Sequence, residues 1–159
     1  MPINYPIPPS FCQFYVVRHG ETDWNQLQKM QGQTDRPLTA EAISQARKLG
    51  KELRNIEFSA VFASDLIRAR HTAELIALQR KATIICSKLL RERSMGSFEG
   101  VVINKLTEEL RESLHQLDRS EDKQLADRFQ IESAEALNSR ALLFFRQTAL
   151  AYPNKRALV

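Results

Sequence analysis

The chain has little cysteine, little histidine, no long apolar run and no dominant charge, and each shortage removes a class of function. Cys12 and Cys86 are the two cysteines among 159 residues. They stand far apart without metal-ligand spacing, so they are expected as buried free thiols in a reducing compartment, which points to the cytoplasm. No apolar stretch approaches the roughly 20 residues that cross a bilayer. No charged-then-apolar leader opens the chain, so neither a signal peptide nor a membrane partner is expected. Lysine and arginine total 23 against 19 acidic residues, a formal net charge of +4. That mild excess suits an anionic small molecule. It is too small and too scattered to indicate nucleic acid, because basic and acidic residues mix along helical stretches and read as solvated faces. Beside His19 only His71 and His115 occur, without partners at ligand spacing, so no metal site is expected. Internal repeats are absent, and no linker is long enough to split the chain.

What is present describes an ordinary soluble globular protein. The apolar fraction is 43% and the charged fraction 26%, close to the average for such chains. The length suits one domain over 1–159 with a real core. Pro6, Pro8 and Pro9 crowd the start, so an irregular arm is expected over 1–12. The apolar run Phe14-Tyr15-Val16-Val17 reads as a buried strand. Thr39 is placed to cap a helix from about Ala40 to Arg54, with Ile43, Ala46, Leu49 and Leu53 at helical spacing. Ala60–Ala63 reads as a strand, Ile67–Arg80 as a helix and Thr83–Cys86 as a third strand. The segment from Asn104 to Arg128 is charged, helical in pattern and free of Pro and Gly, an excursion over one face of the domain. Ser133 caps a last helix, about Ala134 to Ala151, whose expected apolar face includes Leu137, Leu142, Phe145 and Leu150. A further strand begins at Arg156. Strands alternating with helices predict an α/β fold, a three-layer α/β/α sandwich around a mainly parallel sheet.

The chemistry gathers at Arg18-His19-Gly20-Glu21-Thr22-Asp23-Trp24-Asn25, directly after the first strand. Open α/β sheets bind ligands outside the carboxyl ends of their strands. A lone histidine is most often a hydrogen-bonded structural residue. Here the adjoining Arg18, the following Gly20 and the strand-end position favour a nucleophile. A neutral imidazole can attack phosphorus and form a phosphohistidine that water later cleaves. Nearby arginines disfavour imidazolium and keep the ring reactive. Arg18 and Arg68 each follow a strand, and neighbouring strands would bring two guanidiniums together to grip a phosphoryl group. They would also stabilise charge as it develops in phosphoryl transfer. Asn25 reads equally as a neutral donor or as a loop or cap residue. Glu92 follows the third strand at the same sheet edge. A carboxyl there could protonate a leaving oxygen and then activate water, but the residue alone reads slightly better as a surface glutamate paired with Arg91 or Arg93.

These residues together resemble the histidine phosphatase superfamily, also called the phosphoglycerate mutase-like family. The resemblance runs in order through Arg18-His19-Gly20-Glu21-Thr22, Gln31-Gly32 with Asp35-Arg36-Pro37-Leu38-Thr39, Ser64-Asp65-Leu66-Ile67-Arg68-Ala69 with Thr72-Ala73, and Leu90-Arg91-Glu92-Arg93 leading to Phe98-Glu99-Gly100. It covers nearly the whole chain. The likeness implies that His19 is the phosphorylated residue and Glu92 the acid/base carboxylate. Arg18, Arg68 and Asn25 would contact phosphate. Glu21, Thr22, Gln31, Gly32 and Arg93 would border the substrate. Neither metal nor other cofactor is implied, and the expected partner is a small phosphorylated metabolite such as a sugar phosphate.

Within the family the pattern is similar to the phosphatase branch containing fructose-2,6-bisphosphatase and TIGAR. The glycolytic mutases typically continue after the catalytic glutamate with Arg-His-Tyr-Gly, where this sequence has Arg93-Ser94-Met95-Gly96. The likeness also implies a second pocket histidine in a Thr/Ser-His-Gly segment after the last core strand. The sequence runs to Val159 without one, so a C-terminally incomplete domain is expected. Loss of one such donor typically costs about 10²–10³ in rate. Three readings follow: a shortened phosphatase, which the intact upstream motifs favour; a phosphoglycerate mutase-type phosphotransferase; and a catalytically weak protein that binds phosphate compounds or a partner. An unfinished sheet also favours self-association into a homo-oligomer, while the oligomeric state stays open.

Overall fold

A computed structural model describes residues 11–78, 80, 82–120 and 123–159. Ten of the twelve residues of the expected N-terminal arm lie outside that range; Phe11 and Cys12 lie within it and are irregular. In chain order the elements are β1 (Gln13–Tyr15), α1 (Asp23–Gln26), α2 (Ala40–Leu53), β2 (Ala60–Ser64), α3 (Ile67–Ala77), β3 (Ile84–Ser87), α4 (Glu108–Ser120), α5 (Lys123–Phe129), α6 (Ala134–Ala151) and β4 (Arg156–Leu158). Single 3₁₀ turns lie at Lys88–Leu90, Gly96–Phe98 and Ile103–Lys105. The sheet is parallel throughout, in the order β1-β4-β2-β3.

Alternation along the strands separates two cores. Val61 and Leu158 point to one face, where they pack with Ala42, Ala46 and Leu53 of α2 and Leu75 and Ile76 of α3. Ala60, Phe62 and Ala157 point to the other face and meet Phe144 of α6. There Phe62 stands edge-on to Phe144 at 5.3 Å and to Tyr152 at 5.8 Å between ring centroids. Such T-shaped pairs match the quadrupoles of the two rings. The three-layer α/β/α arrangement follows directly. A third, smaller cluster of Phe98, Leu106, Ala126 and Ile131 seats α4 and α5 on the loops beyond the sheet, which is the charged excursion expected over one face.

Local signals set most boundaries. The Thr39 hydroxyl accepts from the Ala42 amide at 3.2 Å and caps α2. The Ser133 hydroxyl accepts from the Ala136 amide at 3.1 Å and caps α6. The sequence shows α1 only as loop, yet a reciprocal capping box between Thr22 and Asn25 forms it.

Several expectations are corrected. The strand expected over Phe14–Val17 is an edge strand rather than a buried one. Its partner is β4 alone, and Val16 is 69% exposed. The strands carrying Arg18 and leading to Arg68 are not neighbours, because β4 lies between β1 and β2. On α6 the buried residues are Phe144 and Thr148, whereas Leu142 and Leu150 face outward, Leu150 at 83% exposure. This helix offers two apolar stripes, and the aromatic surface around Phe62 selects one. Neither cysteine is buried: Cys12 is half-buried and Cys86 exposed, because β3 is the other edge of the sheet. No helix among the described residues is long and apolar enough to cross a membrane.

The two faces of α6 give the first test. Phe144→Ala should destabilise the chain by about 3–5 kcal/mol in urea unfolding, the usual cost of emptying a buried aromatic site. Leu150→Ser should stay within about 0.5 kcal/mol of the parent.

Candidate active site

A cavity of about 280 Å³ opens at the carboxyl ends of β1, β4 and β2. Arg18, His19, Arg68 and Glu92 all line it, together with Ser64, Thr72, Arg91, Phe145 and Val159. Four residues separated by up to 74 positions in the chain are therefore gathered at one sheet edge, where parallel topology leaves a crevice. The segment after β1 is fixed by the Val17 amide, which donates to the Val159 carbonyl at 2.8 Å. It is fixed again where the Gly20 amide donates to the Thr72 hydroxyl of α3 at 3.0 Å. That hydroxyl in turn donates to the Arg68 carbonyl at 2.8 Å, so the loop carrying His19 and the helix carrying Arg68 share one hydrogen-bonded residue. Gly20 is needed for space rather than for an unusual backbone angle. A Cβ there would lie 2.8 Å from the Ala42 Cβ of α2.

His19 Nδ1 lies 2.7 Å from its neighbour's carbonyl oxygen, Gly20 O. A carbonyl only accepts, so Nδ1 carries the proton and the lone pair resides on Nε2. Burial pushes the imidazole pKa below its ordinary value, against the upward pull of the Gly20 carbonyl. The charges of Arg68 and Arg18 lower it further, and that of Glu92 opposes them. The arginines thus act as the sequence suggests, but desolvation acts more strongly.

Arg68 is only 1% exposed and lies in the first turn of α3. Its Nη2 donates to Gly32 O at 2.7 Å and its Nη1 to Thr34 O at 3.1 Å, while Nε has no partner among the described residues. Burial lowers its pKa, opposed by the carboxylates of Glu92, Asp35 and Glu99. Two acidic residues that the sequence reading left without a role aim this guanidinium. Asp35 Oδ1 accepts from the Ile67 amide at 2.7 Å and so caps the start of α3. Glu99 accepts from the Gln33 amide at 2.9 Å, the Met95 amide at 3.1 Å and the Thr34 hydroxyl at 2.5 Å. It thereby holds the loop whose carbonyls grip Arg68. Burial resists ionisation of Glu99, but these hydrogen bonds outweigh it and hold the carboxyl below its usual range. Gly32, at φ +53°, passes directly over this carboxylate, and a side chain there would overlap Glu99.

Arg18 is exposed and has no hydrogen-bond partner among the described residues. Glu92 is exposed too, and its Oε1 accepts from the Arg93 amide at 2.8 Å. The surface pairing considered for Glu92 does not form with Arg91, which makes a bidentate pair with Asp65 at 2.7 and 2.6 Å.

The remaining candidates stand outside the cavity lining. Asn25 Oδ1 accepts from the Thr22 amide at 2.9 Å, which is the cap role. Thr22 is fully buried, its hydroxyl within 2.7 Å of Gln31 Oε1 and 3.0 Å of Asn25 Oδ1. Gln31 is buried, with an amide nitrogen that lacks a partner among the described residues. Glu21 is exposed and accepts from Gln26 at 2.9 Å. Arg93 donates through Nε to Glu132 O at 2.7 Å. These side chains brace the loop around the cavity rather than line it. Among the described residues no group of three or more His, Cys, Asp or Glu side chains is arranged to hold a metal ion.

The family model of the histidine phosphatase superfamily (branch 1) matches residues 14–159. This chain belongs to that superfamily. A relative described as "Probable phosphoglycerate mutase GpmB", from Salmonella choleraesuis, is 44% identical over 97 residues, which is 61% of this chain and 45% of the relative. The chain thus spans under half the length of that curated relative. Among solved structures, an alpha-ribazole phosphatase from Shigella flexneri superposes with a TM-score of 0.77 at 27% identity, covering 91% of this chain and 71% of the other. A phosphoglycerate mutase from Bacillus anthracis superposes with a TM-score of 0.78 at 26% identity, covering 95% and 74%. The fold is that of the phosphoglycerate mutase-like proteins.

Two tests arise from this geometry. His19 should titrate below about 6.5 when its ring protons are followed by NMR. The unfolded chain then binds more protons than the folded one between the two pKa values. Stability should therefore rise with pH through that window, be complete above about 6.5, and weaken as pH falls below it. Separately, Gly32→Ala should cost more than about 1 kcal/mol in thermal or urea unfolding, because the positive φ and the Glu99 carboxylate both resist a side chain.

Proposed function

We propose that this protein is a phosphomonoester hydrolase that works through a phosphohistidine at His19. The observation that carries the reading is the shared cavity. It sets an imidazole with its lone pair on Nε2 beside a buried, incompletely partnered guanidinium at Arg68 and an exposed one at Arg18. A phosphoryl group entering there would neutralise Arg68 and satisfy donors that the protein leaves short. His19 Nε2 forms the bond to phosphorus as the bond to the ester oxygen breaks, and the Glu92 carboxyl gives its proton to the departing oxygen. Glu92, now a carboxylate, takes a proton from water as that water attacks the phosphohistidine, and inorganic phosphate leaves. The guanidiniums stabilise the charge on the equatorial oxygens throughout. His71 and His115 do not line the cavity, so among the described residues no second imidazole donor supplements the arginines.

The substrate class is a small phosphorylated metabolite, such as a sugar phosphate, met in the cytoplasm. One specific observation favours a second reading, transfer of the phosphoryl group between positions of a phosphoglycerate: the 44% likeness to a protein described as a probable phosphoglycerate mutase. Against it stands Arg93-Ser94-Met95-Gly96 where the mutases carry His and Tyr. The two readings differ in the acceptor, water or a second hydroxyl.

Brief exposure to a ³²P-labelled phosphate donor followed by a quench should leave acid-labile, base-stable label on the chain. His19→Ala should abolish it, and label surviving in that variant would remove His19 from the chemistry. Glu92→Gln should retain label while slowing turnover by about 10²–10⁴-fold. Label appearing in inorganic phosphate supports the hydrolase, and label passing between phosphoglycerates supports the mutase.

A further inference from the structure

The segment that carries Glu92 into the cavity has no strand or α-helix of its own. From Arg91 to Met95 it is irregular, following the 3₁₀ turn Lys88–Leu90. An exposed glutamate on such a segment would sample many positions unless something else fixed the backbone. Gln33 Nε2 donates to Glu92 O at 3.1 Å and the Arg91 side chain is paired with Asp65, and the group that reaches three carbonyls of the segment comes from the distant helix α6. Arg140 Nη1 donates to Leu89 O at 2.9 Å and to Arg91 O at 2.6 Å, and its Nη2 donates to Glu92 O at 3.1 Å. Three carbonyls within four residues thus converge on one guanidinium. The same guanidinium is held in place by Glu132, through Nε to Oε1 at 2.5 Å and Nη2 to Oε2 at 2.8 Å. Both members of this pair are about five-sixths buried, at 16% and 15% side-chain exposure. Glu132 also reaches the segment directly. Its Oε2 accepts from the Ser94 amide at 3.2 Å, its backbone amide donates to Ser94 O at 3.0 Å, and its carbonyl accepts from Arg93 Nε at 2.7 Å.

We propose that Arg140, oriented by Glu132, is the positioning residue for Glu92: its planar fork sets the backbone of residues 89–92 so that the Glu92 carboxyl meets the leaving oxygen at the His19 cavity. The chemistry favours arginine here. A guanidinium is a rigid array of five donors that can serve several carbonyls and a carboxylate at once, whereas an ammonium is a compact point charge on a flexible stem. A stabilising pair alone would need only the carboxylate. The three carbonyl bonds are directed at the catalytic segment, and each is charge-assisted. Removing the fork would take a donor from three carbonyls and from Glu132, leaving Glu92 O to Gln33 Nε2 at 3.1 Å and Glu132 Oε2 to the Ser94 amide at 3.2 Å.

The inference rests on the reading of Glu92 as proton donor to the leaving group, and the experiment separates the two. Arg140→Lys keeps the charge beside Glu132 but cannot serve three carbonyls together. Turnover is compared for p-nitrophenyl phosphate, whose leaving group needs little protonation, and for glycerol phosphate, whose leaving group needs much. Arg140→Lys should slow glycerol phosphate by about 10- to 100-fold and p-nitrophenyl phosphate by less than about threefold, with inhibition by inorganic phosphate unchanged. Glu92→Gln should show the same selectivity, and the double variant should be no worse than Glu92→Gln alone.

A second readout is independent of turnover. The His19 imidazole is faced by Arg18, Arg68 and Glu92, and a displaced Glu92 no longer favours its protonated form. Its NMR titration should therefore move downward in Arg140→Lys, as in Glu92→Gln. Equal slowing of both esters, or an unmoved His19 titration, would overturn the proposal. If Arg140→Lys does not fold by circular dichroism, Glu132→Gln loosens the same clamp and is read in the same two ways. A parent chain that hydrolyses neither ester would refute the hydrolase reading. The titration would then decide alone whether Arg140 holds Glu92 beside His19.

Discussion

The buried guanidinium of Arg68 is the constraint on which the site depends. A charge removed from water is costly unless it is hydrogen-bonded and electrically compensated. Here the compensation is partial. Two carbonyls, from Gly32 and Thr34, aim the side chain, and no carboxylate forms an ion pair with it among the described residues. Much of the surrounding structure makes that arrangement tolerable. Asp35 caps the helix that carries Arg68, Glu99 pins the loop that grips it, and Gly32 leaves room for Glu99. In the proposed reaction the phosphoryl group would complete what the fold leaves unfinished. A cation buried with so little compensation costs stability, the compromise usual at functional sites.

The same burial governs His19. Desolvation lowers its pKa first, and the two arginines add to the effect. One low-polarity crevice thus does two things at once: it strengthens the field of the cations and keeps the imidazole neutral. The Gly20 carbonyl resolves which nitrogen is available, because an acceptor at Nδ1 leaves the lone pair on Nε2. Glu92 differs in its exposure, although its charge acts on both His19 and Arg68. It is exposed, and its position depends on backbone contacts rather than on packing of its own side chain. The site therefore combines a buried Arg68 and a half-buried His19 with one carboxylate whose backbone is held from behind by Arg140.

Much of this was legible along the chain because it is local. Thr39 and Ser133 announce the helices they cap, and the continuous apolar run Ala60–Ala63 marks a strand. Arg18 and His19 adjoin each other, and Arg68 and Glu92 each follow a strand, so parallel topology alone assigns them to one edge. The misreadings arose where several local patterns were equally good. On α6 the outward Leu142 and Leu150 are as apolar as the buried Phe144. Phe14–Val17 looks like a central strand until the sheet order places it at an edge. Asn25 carries two plausible roles in its side chain, and only the Thr22 amide shows which one its oxygen performs. Glu132 and Arg140 carried no signal, since their contacts with the Glu92 segment span 38 to 51 residues.

The sequence by itself determined the longer helices, the approximate strands, the family likeness and the set of reactive side chains. Those depend on periodicity, caps and adjacency, which are properties of short stretches. Only the tertiary structure decided that β4 enters between β1 and β2, which stripe of α6 faces the sheet, and how deeply Arg68 and His19 are desolvated. It also decided that an arginine on the last long helix holds the segment bearing Glu92. Burial and long-range hydrogen bonds belong to surfaces that meet only after folding, and no stretch of chain contains them beforehand.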